Sequence, residues 1–168
     1  MKKKIITIVA FSVVLLTLGR AIIGWYLPDI LEYPHVPKER ILYEYKKNKL
    51  LFSDIAITLS RYNKYIAVDS DSREGNNYII WRESDKENTL GSESKISDEL
   101  LNSNLSTLFV KLKYKGIDKT ENGIYFLRQT DIGFEQGIAF SLDGNKPNWP
   151  LINVLEPIEG NWYYYESK

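Results

Sequence analysis

The longest apolar stretch of the chain covers residues 5–27 and directly follows three lysines at positions 2–4. Arg20 is its only charged residue. Because a helix rises about 1.5 Å per residue, this stretch is long enough to cross a hydrocarbon layer about 30 Å thick. Trp25 and Tyr26 near its end are residue types that favour the membrane interface. The pattern predicts a single-pass signal-anchor with a cytoplasmic N-terminus and an extracytoplasmic C-terminal domain.

A cleaved signal peptide is the alternative interpretation of the same stretch. Its charged region would be residues 2–4, its apolar region residues 5–18, and its cleavage site the small-x-small sequence at 19–21, ending at Ala21. Arg20 favours cleavage, because a charge at the centre of a span costs about 2.5–3.5 kcal/mol. The apolar residues that follow at 21–25 favour the anchor. Both interpretations predict export, whereas a third, a buried helix of a cytosolic protein, does not.

The residues after the apolar stretch divide into a stalk and one domain. Residues 28–37 contain three prolines and the only histidine, His35. Proline fixes φ and removes a backbone donor, so an extended, fairly stiff stalk is expected, with His35 as a solvated linker residue. The predicted organisation is therefore an anchor at 1–27, a stalk at 28–37 and an exported domain at 38–168.

Two stretches of the domain have helical periodicity. A helix is predicted to begin at Pro37 and to run to about Asn63, because apolar and other large residues recur at spacings of four and three. This face contains Ile41, Tyr45, Asn48, Phe52, Ile55, Leu59 and Tyr62. A second helix is predicted after a cap at Ser94 or Ser97, with Leu101, Leu105, Leu108 and Leu112 on its apolar face. The polar segment 83–95 between the helices is predicted to be mostly loop.

The remaining pattern is typical of an antiparallel sheet. Short strands are predicted at 65–69, 78–82, 124–128, 137–142, 154–158 and 162–166. Turn sequences containing Gly123, Gly144 and Gly160 separate the later ones. Pro157 cannot donate to a ladder, so its strand is expected at an edge. The predicted fold is α+β, with two helices packed on an antiparallel sheet of five to seven strands after the N-terminal transmembrane or signal segment.

Charge and composition exclude several functions. The whole chain is neutral, but residues 1–21 hold four of the 22 basic residues and no acidic ones, which leaves 18 basic against 22 acidic residues and a net charge of −4. Nucleic-acid binding depends on phosphate neutralisation and is therefore not expected. With no cysteine and one histidine, the chain lacks the parts of a nucleophilic triad or a zinc site. No motif for a metal or a cofactor is present, so neither is expected.

Aromatic residues are the chemical oddity of the sequence, with 12 Tyr, six Phe and four Trp. Four of them are consecutive at 162–165 and follow Gly160-Asn161. These six residues are similar to the Gly-x-Trp-Tyr-Tyr core of choline-binding cell-wall repeats, although the sequence occurs once and not in a tandem array. The resemblance implies a glycan-binding platform, whereas the pleat of a strand predicts that part of the segment is core. The candidate binding residues are Trp149, Trp162, Tyr163, Tyr164 and Tyr165.

The sequence supports three hypotheses of function. The first is a non-enzymatic, membrane-anchored bacterial envelope protein, held by residues 5–27, that acts by contact with an unknown protein, for example as an immunity or inhibitor-like protein. The second is a cell-wall glycan-binding module that uses exposed aromatic residues. The third is a hydrolase that uses two carboxylates, for which Glu121, Asp131 and Glu135 are the candidates because they lie near hairpin ends.

Overall fold

The computed structural model describes residues 35–62, 65–82, 92–131, 134–147 and 152–167, together with the single residue Gly19. The chain divides into two compact units, residues 1–40 and 41–168. The predicted span at 5–27 lies outside the described residues apart from Gly19, and so does most of the predicted stalk. Among the residues that are described, no helix is long and apolar enough to cross a membrane.

The described residues form three α-helices and nine β-strands. The helices are α1 (Lys38–Lys47), α2 (Lys49–Ser60) and α3 (Glu99–Ser106), and a π-helical turn, Thr107–Lys111, continues α3. The strands are β1 (Ile66–Asp69), β2 (Arg73–Glu74), β3 (Asn77–Arg82), β4 (Ser92–Lys95), β5 (Gly116–Lys119), β6 (Gly123–Asp131), β7 (Phe134–Ser141), β8 (Ile152–Glu159) and β9 (Trp162–Ser167). The α+β class is confirmed.

The first predicted helix is interrupted once and is therefore two helices. Asn48 has φ −119° and ψ 27°, outside the helical region, and its side-chain amide donates to the carbonyl oxygen of Glu44 at 2.8 Å. The backbone N–H of Asn48 also donates to the Glu44 carbonyl at 3.1 Å, and Phe52 N–H donates to the Asn48 carbonyl at 3.2 Å. The interruption is therefore a change of backbone dihedral angles at Asn48 and not a loss of hydrogen bonds. The predicted apolar face is otherwise confirmed, because Ile41, Phe52 and Leu59 are fully buried.

The N-cap of the next helix lies one residue after the predicted cap Ser97 and four residues after the alternative, Ser94. The side chain of Asp98 accepts a hydrogen bond from the backbone N–H of Leu101 at 2.9 Å, which makes Asp98 the N-cap. Ser94 lies in β4 instead. Asn102 ties the helix to the sheet, since it accepts from the N–H of Tyr78 at 2.9 Å.

All strands pair antiparallel in the order β2-β3-β1-β5-β6-β7-β9-β8, and β4 also pairs with β3. β8, which contains Pro157, ends this order, so the prediction of an edge strand is confirmed. The prediction of five to seven strands is too low. β2 has only two residues, and β4 is the polar sequence Ser-Glu-Ser-Lys in the predicted loop, so neither has the apolar alternation that indicates a strand.

One face of the sheet packs against the helices, and we call it the helix-covered face. The Phe52 ring of α2 lies 5.1 Å from Phe126 and 5.4 Å from Tyr114, measured between centroids. The π-helical turn adds Phe109, which lies 5.1 Å from Tyr78 of β3. Edge contacts of this kind add to the burial of apolar area, so this face contains the main core.

A buried ion pair also joins α1 to the helix-covered face. Arg128 Nε and Nη2 lie 2.9 and 3.2 Å from the two carboxylate oxygens of Glu44, and both side chains are almost fully buried. Arg128 sits at a register shift between Leu127 and Gln129 of β6. Such a bulge re-aims a side chain, and here it directs the guanidinium toward α1.

Candidate binding groove

Trp162 and Tyr164, two of the residues predicted to bind ligand, lie in the core. Trp162 is 6% exposed, and its ring centroid lies 4.8 Å from Phe140, 5.1 Å from Tyr45 and 5.9 Å from Phe126. Tyr164 is 1% exposed and donates to Gln136 Oε1 at 3.1 Å. The Trp162 side of β9 is therefore core, in agreement with the prediction that part of this segment is buried.

Tyr163 and Tyr165, which point to the opposite face of the sheet, are buried as well. They form a second cluster with Tyr125, Leu127 and Ala139, against which Ile152 and Leu155 pack. The strand at 162–167 thus contributes packing on both faces. In the described structure these four aromatic residues present no surface platform. Trp149, the fifth predicted binding residue, lies outside the described residues.

Glu121 is separated from Glu135, another of the carboxylates predicted for a hydrolase. Glu121 is exposed in the turn between β5 and β6, near the start of β6, whereas Glu135 faces Thr130 near the end of β6. Six residues of strand, about 20 Å, separate Ile124 from Thr130 along β6. Glu121 and Glu135 are therefore at opposite ends of β6. Asp131 belongs to the same hairpin as Glu135, and only its backbone is described.

A groove of about 400 Å³ lies on the face of the sheet opposite the helix-covered face. Its lining residues are Tyr65, Ala67, Asp69, Ser72, Ile79, Trp81 and Glu93. Four residues form one cross-strand row here, because Glu93 pairs with Trp81, Trp81 with Ala67, and Ala67 with Asp118. The strands of Trp81 and Asp118 are two spacings, about 10 Å, apart. The Tyr65 side chain lies between these two residues, since it contacts both, and Asp118 is beside the groove and not among its lining residues.

Tyr65 closes one side of this groove and holds Asp118. Its hydroxyl donates to Asp118 Oδ1 at 3.0 Å, and its ring lies 5.6 Å from the Trp81 ring at 77° between planes. Asp69 lies two residues along β1 from Ala67 and pairs with Gly116. A Cβ on Gly116 would approach Asp69 Oδ1 to 3.2 Å, so the glycine gives the carboxylate room.

Burial makes the groove electrostatically unusual. It raises the pKa of Asp118 to about 6, mainly because desolvation disfavours the charged form. The Tyr65 hydrogen bond lowers this pKa, while the negative charges of Glu135 and Asp69 raise it further. Burial together with Asp118 raises the pKa of Tyr65 above its usual range, so Tyr65 remains a hydrogen-bond donor at neutral pH.

Tyr165 lies beneath these carboxylates. It is 1% exposed, and its hydroxyl has no hydrogen-bond partner among the described residues. Burial raises the pKa of Tyr165 well above its ordinary value, and the negative charges of Glu135 and Asp118 raise it further. A buried hydroxyl without a partner costs free energy, about 1–3 kcal/mol. The region around Asp118 therefore contains a desolvated carboxylate and an unsatisfied hydroxyl, and the core residue Tyr114 also has an unsatisfied hydroxyl among the described residues.

The groove combines aromatic rings with anionic oxygens. Among the described residues, Asp69, Glu93 and Asp118 have no lysine or arginine within ion-pair distance, and the nearby Lys95 pairs with Glu74 at 3.0 Å. Aromatic faces and carboxylates both attract cations. No group of three or more metal-ligating side chains occurs in the described part of the chain.

A second cavity, of about 480 Å³, lies beside the π-helical turn. Arg73, Lys113 and Lys115 line it together with Asp71 and the exposed Val110. Its charges have both signs, and Arg73 already stacks on Tyr78 with its guanidinium carbon 4.2 Å from the ring centroid. Three cationic side chains and one carboxylate line this cavity, so its charge is opposite in sign to that of the groove.

Comparison of the chain with models of known protein families, with curated proteins and with solved structures finds no match. The site must therefore be interpreted from its own geometry. Sequence reasoning missed the groove because its residues come from three strands and the segments beside β1, and Asp118 lies on a fourth strand. Only the pairing register puts Trp81, Ala67 and Asp118 in one row.

Proposed function

We propose that the protein is a non-enzymatic, membrane-anchored bacterial envelope protein whose exported domain binds a protein partner through the groove. The groove is the observation that carries this proposal. It contains an intermediate-exposure indole at Trp81 and exposed carboxylates at Asp69 and Glu93. A central aromatic residue surrounded by a polar rim is the usual composition of a protein–protein binding site.

The anchor rests on the sequence of residues 5–27 and on the lysines that precede it. A retained anchor would keep the domain near the outer surface of the membrane on its proline-containing stalk. N-terminal sequencing of the protein isolated from membranes tests this part. A chain that begins at Met1 or Lys2 supports the anchor, and a chain that begins at Ile22 shows cleavage after Ala21 and replaces the anchor with secretion.

A protein partner is favoured over cell-wall glycan by the position of the aromatic residues. Glycan binding was predicted from exposure of the aromatic segment at 162–165, and these four residues are buried. An immunity or inhibitor-like function is one version of protein contact that suits an anchored domain. The hydrolase hypothesis stays a prediction. Glu121 and Glu135 lie at opposite ends of β6, whereas Asp131 and Glu135 belong to one hairpin.

Site-specific photo-cross-linking in intact bacteria tests the use of the groove. A photo-reactive amino acid is placed at Glu93, on the rim of the groove, and in a matched strain at Asp54, which is exposed on α2. We expect a discrete protein adduct from position 93 and none from position 54. An adduct of the same size from both positions, or none from either, would contradict the proposal.

The identity of the adduct separates the hypotheses. Mass spectrometry that identifies a polypeptide at position 93 supports protein contact. A ladder of adducts that muramidase converts to a single species would instead identify cell-wall glycan and would overturn the proposal in favour of the glycan-binding module.

A further inference from the structure

The cavity beside the π-helical turn, of about 480 Å³, is lined by more positive than negative side chains. Arg73, Lys113 and Lys115 contribute three positive charges and Asp71 contributes one negative charge, which gives a net charge of +2. Within the described part of the chain, Arg73, Lys113 and Asp71 form no ion pair. A cleft whose charge is mainly of one sign attracts ligands of the opposite sign. The cavity therefore favours an anionic ligand.

Tyr78 holds Arg73 at one side of the cavity. The guanidinium carbon lies 4.2 Å from the centre of the Tyr78 ring, and Nη2 donates a hydrogen bond to the Tyr78 hydroxyl. The ring itself is fixed, because Tyr78 is 1% exposed and lies 5.1 Å from the Phe109 ring. A guanidinium has several N–H donors in a planar fork, so donors remain beyond the one that Tyr78 accepts. A stacked guanidinium of this kind matches the oxygen atoms of a phosphate or a carboxylate.

Lys113 occupies a backbone position that favours glycine. Its φ is 61°, and it is the only described residue other than glycine with a positive φ. It follows Leu112, the C-cap of the π-helical turn, and next to it the Tyr114 N–H donates to the Leu108 carbonyl oxygen at 3.2 Å. Glycine is the usual residue just after a helix, because it adopts this conformation without strain. The chain thus has a strained lysine in the lining of the cavity, and strain of this kind is concentrated at functional sites.

Another part of the lining is apolar. Phe109 and Val110 form it, and Val110 is 49% exposed. The volume of about 480 Å³ lies within the usual range of small-molecule pockets, about 300–1,000 Å³. A ligand that joins an anionic group to an apolar group would contact both parts of this lining.

A phosphate monoester matches the charge of the cavity better than a carboxylate does. It carries a charge of about −1.5 to −2 at pH 7 and has three strong acceptor oxygens. A carboxylate carries a single charge and has two oxygens. The net charge of +2 is therefore neutralised almost fully by a phosphate monoester and only about half by a carboxylate.

We propose that this cavity binds a phosphate monoester, with Arg73 and Lys113 contacting the phosphate group. Phe109 and Val110 contact the apolar group to which the phosphate is attached, and Lys115 adds positive charge to the same lining. No residue lines both this cavity and the groove, so the inference is independent of the proposed protein partner.

The test is an NMR titration of the full-length protein in uncharged detergent micelles. Its lysines are converted to carbon-13 dimethyl-lysine, which keeps the positive charge. The methyl signals of Lys113 and Lys115 report on the cavity, and each is assigned by substitution of that lysine. Lys111 is exposed and does not line the cavity, so its signal is the internal control.

Phenyl phosphate is the probe, benzoate is its singly charged counterpart and benzamide is the neutral one. We expect phenyl phosphate to shift the signals of Lys113 and Lys115 saturably and to leave that of Lys111 unchanged. Benzoate should bind about tenfold more weakly, the loss expected when a hydrogen bond between charged groups is removed. Benzamide should produce no saturable shift. Added salt should weaken the binding of phenyl phosphate, because it screens the charges of the lining.

Lys113→Gly separates binding from folding. It removes one charge from the cavity and also removes the strain, because glycine adopts a φ of 61° readily. We expect this variant to melt no lower than the parent and yet to bind phenyl phosphate at least severalfold more weakly, as measured on the Lys115 signal. A purely structural role of Lys113 would not produce this combination.

Three further variants test the charges one at a time. Arg73→Gln should weaken binding about tenfold, because it removes the positioned guanidinium. Asp71→Asn removes the negative charge from the lining and should strengthen binding severalfold. Lys111→Gln removes an exposed charge outside the cavity and should leave binding unchanged.

Equal binding of phenyl phosphate and benzamide would overturn the inference, and so would the absence of a saturable shift in the parent protein. Binding by Lys113→Gly as tight as that of the parent would also overturn it. Benzoate that binds as tightly as phenyl phosphate would show that the cavity does not select a phosphate monoester. The cross-linking experiment at the groove is unaffected by any of these results.

Discussion

Asp118 provides a direct test of the electrostatics of the groove. The structure raises its pKa from the ordinary value of 3.8 to about 6. A tenfold change in proton affinity is worth about 1.4 kcal/mol, so this rise corresponds to about 3 kcal/mol between the protonated and ionised folded states. The folded protein binds this proton more tightly than the unfolded chain does. The associated stability is therefore fully present below about pH 4 and is lost as the pH rises through about 6.

Asp118→Asn is the substitution that isolates this effect. The amide is neutral at every pH and its oxygen can still accept the hydrogen bond from Tyr65. We expect the variant to have a free energy of unfolding about 2–3 kcal/mol higher than the parent at pH 7.5, and a nearly equal value at pH 4. A functional carboxylate kept at a cost in stability is the usual trade-off at binding sites.

Urea unfolding of the full-length chain in mild detergent, followed by tryptophan fluorescence at both pH values, measures the difference. Asp54→Asn is the control and should change the free energy of unfolding by less than about 0.5 kcal/mol at either pH, because Asp54 is exposed on α2. If Asp118→Asn is neutral or destabilising at pH 7.5, the carboxylate is not desolvated and the account of the groove is wrong.

Two further predictions concern the helix-covered face. Phe52→Ala should lower the free energy of unfolding by about 3–5 kcal/mol, because the Phe52 side chain is fully buried. Lys47 is exposed on α1, so Lys47→Ala should change this free energy by less than about 0.5 kcal/mol. Comparable effects of the two substitutions in the same urea titrations would contradict the assigned core. Glu44→Gln should cost about 3–5 kcal/mol because it leaves the Arg128 charge buried, and the combined change Glu44→Leu with Arg128→Met should recover most of this loss. A loss in the double variant as large as in the single one would refute that explanation.

Periodicity was sufficient to predict which residues of the helices are buried. Ile41, Tyr45, Phe52 and Leu59 follow the spacing of one helical face, and all four are fully buried. The break at Asn48 could not be predicted in the same way. It is a departure of φ and ψ at Asn48 from helical values, and an asparagine inside a regular pattern does not indicate whether that departure occurs.

The polar strand and the groove were beyond sequence reasoning for a different reason. β4 is stabilised by pairing with β3, and its own residues have no apolar alternation. Trp81, Ala67 and Asp118 are far apart in the sequence and meet only through the pairing register. Aromatic richness pointed instead to the segment at 162–165, because composition alone does not distinguish a strand buried on both faces from one that is exposed.

The central claim, that a partner occupies the groove of an anchored extracytoplasmic domain, is tested most directly by single-cysteine labelling. The chain contains no cysteine, so Glu93→Cys and Asp54→Cys each create a single reactive position. A membrane-impermeant maleimide is applied to intact bacteria and, separately, to the purified full-length proteins. We predict fast labelling at position 54 in both settings, and labelling at position 93 that is fast in the purified protein and at least severalfold slower on cells. Equal labelling rates at the two positions on cells would contradict occupancy of the groove. If neither position is labelled on intact cells and both are labelled after the cells are lysed, the extracytoplasmic location is wrong.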